Sequence, residues 1–74
     1  MTLQRVFSYQ HLKIGELYLY NSHDNYIAIV QCLKPSYFKI IKNINKRDYL
    51  QNANLYIEIS SIYILSSLDK IKYL

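Results

Sequence analysis

The chain has 74 residues, 51% hydrophobic and 19% charged, with a net charge of +4 and a calculated pI near 9.2. That length makes one domain burying only about 60% of its unfolded surface, and the apolar content, with nine Tyr and two Phe, excludes a disordered chain. A single Cys excludes a secreted framework stapled by internal disulfides, the opening MTLQRVFSYQ lacks the apolar core of a signal peptide, and no uncharged apolar run reaches the ~18 residues of a membrane span. The expected setting is therefore the cytoplasm or the interior of a virion, neither secreted nor transmembrane. Heavy use of Ile, Asn, Lys and Tyr matches the codon bias of an AT-rich genome, as in many phages, firmicutes or reduced parasites.

No repeat, linker or low-complexity segment interrupts the chain, so residues 1–74 read as one small domain. Residues 1–12 place Leu3, Val6, Phe7 and Leu12 at mixed spacings and form an N-terminal arm, either extended or with a short helical turn. Glu16 to Tyr20 is a tyrosine-rich strand, stopped by the polar turn formers Asn21 to Asn25. Tyr26 to Leu33 is the second strand. It ends at Lys34-Pro35-Ser36, where Pro35 presets the first corner of a turn and keeps Lys34 out of helical geometry. Tyr37 to Lys42 returns as the third.

A two-residue corner at Pro35 and Ser36 sets Leu33 opposite Phe38 and Gln31 opposite Ile40. Ile27, Ile29, Leu33, Phe38 and Ile40 then share the core face, and Tyr26, Ala28, Val30, Cys32, Tyr37, Lys39 and Ile41 share the other. A slip of one residue at the turn exchanges faces on one strand. Residues 43–54, NINKRDYLQNAN, read as a long loop, either irregular or with a helical turn, anchored by Ile44, Tyr49 and Leu50. Leu55 to Ser60 alternates Leu55, Ile57 and Ile59 against Tyr56, Glu58 and Ser60, as a half-buried strand does. Ile62 to Leu65 resumes the strand pattern. Ser67 caps a closing helical turn over 66–74, with Leu68 and Ile71 on one side and Asp69 near its start.

The stretches KIGELYLY, YIAIVQC, YFKIIK and LYIEISSIYIL carry a resemblance across most of residues 13–65. In their order, with Lys13, Gly15 and Glu16 opening the first strand, they resemble the SH3-like small barrels. The resemblance implies a mainly β fold, a small antiparallel barrel of about five strands with a short C-terminal helical turn, and a non-catalytic binding role. The chain lacks the Trp and the acidic loop with which SH3 domains proper grasp Pro-rich peptides, and the glycine of the KOW-type barrels.

Catalytic candidates are few. His23-Asp24 is the one His beside a carboxylate, and adjacent residues in a polar turn point apart into water. His11, His23 and Cys32 show no metal-ligand spacing, Cys32 has no neighbouring base, and Gly15, the only glycine, cannot form a phosphate loop. The expectation is a chain that is not an enzyme, with no cofactor, no metal, no membrane and no small-molecule substrate.

Two binding surfaces follow. The first is a protein interface at Tyr26, Val30, Tyr37 and Ile41, a face too apolar for a free monomer and covered by another protein or a second copy. This makes the chain a protein-interaction module, a minor component of a larger assembly, viral or phage by composition. Against it stands an arrangement in which residues 1–12, or the turn at 67–74, fold over that face and make it core. The second surface is a nucleic-acid site at Lys34, Tyr37, Lys39, Lys42, Lys46 and Arg47, where basic side chains track phosphates and aromatic rings stack on bases.

Overall fold

The structure is a computed structural model that describes residues 4–22, 27–44 and 54–73. Five antiparallel strands form one sheet: β1 (Leu17–Asn21), β2 (Ile27–Lys34), β3 (Tyr37–Asn43), β4 (Asn54–Tyr56) and β5 (Ile62–Ile64), in the order β4-β3-β2-β1-β5. Short 3-10 turns occupy Tyr9–His11 and Ile59–Ser61, and a helix, α1 (Ser67–Tyr73), follows β5. This is the mainly β fold expected from the pattern. No helix among the described residues is long and apolar enough to cross a membrane.

Residues 57–61 alone carry the chain from β4 at one edge to β5 at the other. In a flat sheet those edges stand about 19 Å apart, four spacings of ~4.8 Å. A connection with three residues in 3-10 geometry, at about 2 Å each, spans only about 16 Å. The sheet must therefore roll. The roll stops short of a closed barrel, because β4 and β5 are not paired among the described residues.

The inside of the roll is the main core, formed by Tyr18 of β1, Ala28, Val30 and Cys32 of β2, Phe38 and Ile40 of β3, and Ile57 and Ile62. Tyr18 meets Phe38 edge to face, with ring centroids 6.5 Å apart, and its hydroxyl accepts from the Lys13 N–H at 2.8 Å, which satisfies the polar end of a buried ring. The N-terminal arm closes this core with Val6 and Leu12. It is both extended and turned. Arg5 bridges Tyr63, the Val6 N–H donates to the Ile62 carbonyl and the Ile64 N–H to that of Gln4, after which the chain enters the 3-10 turn capped by the Ser8 hydroxyl.

A second, smaller cluster sits on the outer face, where Leu19, Ile29 and Leu65 are buried and Leu17, Ile27, Ile44 and Tyr63 are half-buried. β2 is thus covered on both sides by its own chain, which accounts for its near-continuous apolar sequence.

Pairing of β2 with β3 corrects the expected register. Lys34 does pair with Tyr37 around a two-residue corner, but Cys32 then pairs with Phe38, leaving Leu33 as an extra residue. That single bulge exchanges the faces of β2. Ala28, Val30 and Cys32 turn inward with Phe38 and Ile40, while Ile27 and Ile29 join the outer cluster. The corner explains the bulge: Pro35 holds a negative φ and Ser36 has φ +67°, the sign pattern of a type II turn, whose twist splays antiparallel strands. A second shift, between Ile29 and Val30, leaves Ile41 as the extra residue on β3.

Two further boundaries differ from expectation. The strand expected over Leu55 to Ser60 ends at Tyr56, although Ile57 is buried and Leu55 and Ile59 pack on the core as the alternation implied. Past Tyr56 the chain must leave the edge to reach β5. Ser66, rather than Ser67, caps α1: its hydroxyl accepts from the Asp69 N–H at 3.1 Å, and the Asp69 carboxylate accepts from the Ser66 N–H and hydroxyl. This is a reciprocal capping box.

Candidate functional site

The expected protein interface does not come together. Val30 is 0% exposed, so it belongs to the core and reaches no surface. Ile41, 42% exposed, projects as the bulge residue of β3. Tyr37 is half-buried at the hairpin corner, and Tyr26 lies outside the described residues. The N-terminal arm instead covers the face carrying Val30, with Val6 and Leu12 packed in the same core.

Of the expected nucleic-acid residues, Lys34, Lys39 and Lys42 are exposed on the hairpin, while Lys46 and Arg47 lie outside the described residues. Lys34 reaches over the Tyr37 ring, its Nζ 5.5 Å from the centroid, a cation–π contact worth about 0.5–1 kcal/mol at an exposed site.

A concavity lies beside that corner. The Ile57 N–H donates to the Ser36 carbonyl at 2.8 Å, fastening the segment after β4 to the turn. Pairing of Tyr37 with Tyr56 across β3 and β4 brings their rings to 4.8 Å at a tilt of 51°. The arm's 3-10 turn supplies Tyr9 from the other side. A groove of about 400 Å³ results, lined by Tyr9, Ser36, Tyr56, Ile57 and Glu58. Among the described lining residues, Tyr9 and Tyr56 remain open to solvent, at 41% and 69% exposure, and Glu58 supplies the carboxylate. Tyrosine rings at the rim of a concavity offer apolar area while their hydroxyls stay wet.

Tyr9 and Tyr56 are the site residues that the sequence did not single out. Tyr56 stood on the polar side of the Leu55 to Ser60 alternation, and that placement was its available signal. Tyr9 has no periodic signal. Only the folding of the arm brings it to residues some fifty positions away.

Cys32 is buried and donates its S–H to the Lys34 carbonyl at 3.5 Å, and burial pushes its thiol pKa up. A thiol held neutral in this way serves as core packing, not as a nucleophile. Among the described residues no three His, Cys, Asp or Glu side chains gather as a metal site would require. On α1, Leu68 and Ile71 are exposed on one side, as expected from their spacing.

No family model, curated protein or solved structure gives a match to this chain.

Proposed function

We propose that this chain is a non-catalytic protein-interaction module, a component of a larger assembly, and that it holds an extended segment of another protein in the groove between Tyr9 and Tyr56. The supporting observation is the groove itself. Three distant parts of the chain converge there, and two tyrosine rings stay open although a domain of this size has every reason to bury them. An apolar side chain of the partner lies between the rings, and backbone groups of the partner meet the tyrosine hydroxyls at the rim.

This reading moves the interface away from the inner face of β2 and keeps its class of partner. Peptide-display selection against the purified chain, followed by calorimetry on a selected peptide, tests it. Tyr9→Ala should weaken the peptide at least tenfold in a chain that still unfolds cooperatively. Selected peptides that bind Tyr9→Ala as tightly as the unsubstituted chain would contradict the assignment.

A further inference from the structure

β2, β3 and β4 together carry Lys34, Lys39 and Lys42 and not one carboxylate. The strand register sorts these charges. Phe38 and Ile40 face the core, so Tyr37 and Lys39 face outward; Lys34 and Tyr56 pair with Tyr37, and Gln31 and Asn54 pair with Lys39. The bulge at Ile41 then sets Lys42 opposite Ile29 of the outer cluster, which returns it to the same outer face as Lys39. Without that bulge the two lysines, three residues apart, would point to opposite sides. The outer face therefore runs from a tyrosine pair at the hairpin corner into a row of lysines, with neutral amides between them. Tyr56 presents the most open ring on it.

We infer that this outer face of β2, β3 and β4 binds single-stranded nucleic acid, with phosphates against Lys34, Lys39 and Lys42 and an unpaired base stacked on Tyr56. Charge complementarity selects a polyanion. The ring selects a strand whose bases are free, since a base inside a duplex exposes no face for stacking. The surface is distinct from the floor of the peptide groove and borders it at Tyr56, so a bound strand and a bound peptide compete for that ring.

The test is fluorescence anisotropy with a labelled twelve-nucleotide oligo(dT) strand, with the same length of duplex and with poly-glutamate as competitor. Three phosphate contacts on a single strand give a slope of about −2 in log affinity against log salt, so binding should weaken about 20-fold between 50 and 200 mM salt. Lys39→Gln should reduce that slope by about 0.7. Tyr56→Ala should weaken the strand roughly 5- to 150-fold. Ile71→Gln, exposed on α1 beyond the opposite edge strand β5, should leave binding unchanged. No binding at 50 mM salt, duplex held as tightly as the single strand, poly-glutamate competing as well as unlabelled oligo(dT), or a full salt slope in Lys39→Gln would each overturn the inference. The readout contains no peptide, so its outcome is independent of the groove's.

Discussion

Val30 and Ile41 separate the observed register from the simple hairpin register in a single pair of substitutions. Val30→Ala removes two methyl groups from a side chain with no exposed surface. The transfer loss is about 1.6 kcal/mol at ~0.8 per methyl-sized group, and a residual cavity of about 50 Å³ adds about 1.2. A cost of about 2–3 kcal/mol is expected, against a total stability of about 4–11 kcal/mol for a domain of this size. The protein should stay folded at 25 °C, with its melting temperature lowered by roughly 10–20 °C. Ile41→Ala deletes more atoms, but from a residue 42% exposed at the sheet surface, and should cost only about 1–1.5 kcal/mol. Urea unfolding followed by tyrosine fluorescence and circular dichroism measures both. The smaller deletion should be the more damaging. Equal costs, or a larger cost at Ile41, would refute the placement of Val30 in the core and with it the bulge at Leu33.

Ser36 holds φ +67° without being glycine, so Ser36→Gly should stabilise the protein by about 1 kcal/mol, read as a higher urea midpoint at unchanged slope. Gly15 has φ +87° with nothing within 4 Å of where a Cβ would sit, so Gly15→Ala should cost about 1–2 kcal/mol through dihedral strain alone. Burial raises the Cys32 pKa, so above the ordinary thiol value of about 8.5 the unfolded chain loses a proton that the folded chain keeps. The thiol's contribution is then complete below that pH and falls as pH rises toward the folded value. Urea midpoints from pH 7.5 to 10 should decline more steeply in the unsubstituted protein than in Cys32→Ala, and parallel declines would count against this.

Much of the fold was legible because it rests on local chemistry. Pro35 with its polar neighbours marked the corner, the tyrosine and isoleucine runs marked the strands, and Leu55, Ile57 and Ile59 announced the inward side of a segment that is only partly strand. The faces of β2 were not legible. Every second residue on either side is apolar, so a one-residue bulge leaves no trace in the pattern, and Leu33 looks like any core residue although it is the unpaired one. Both sides of β2 had to be apolar because the arm covers one and Leu65 the other, and neither cover is local in sequence. The lysines of the hairpin could be named from the sequence. Their shared face with Tyr56 depends on the second bulge, and the groove depends on Tyr9 arriving from the arm. Long-range assembly of this kind leaves no spacing to read.

The groove is tested most directly by following backbone amide resonances of the labelled chain as a display-selected peptide is added. The largest shifts should fall on Tyr9, Ser36, Tyr56, Ile57 and Glu58, with the strand centres of β1 and β2 unmoved. Shifts concentrated instead on Leu68 and Ile71 of α1 would contradict it.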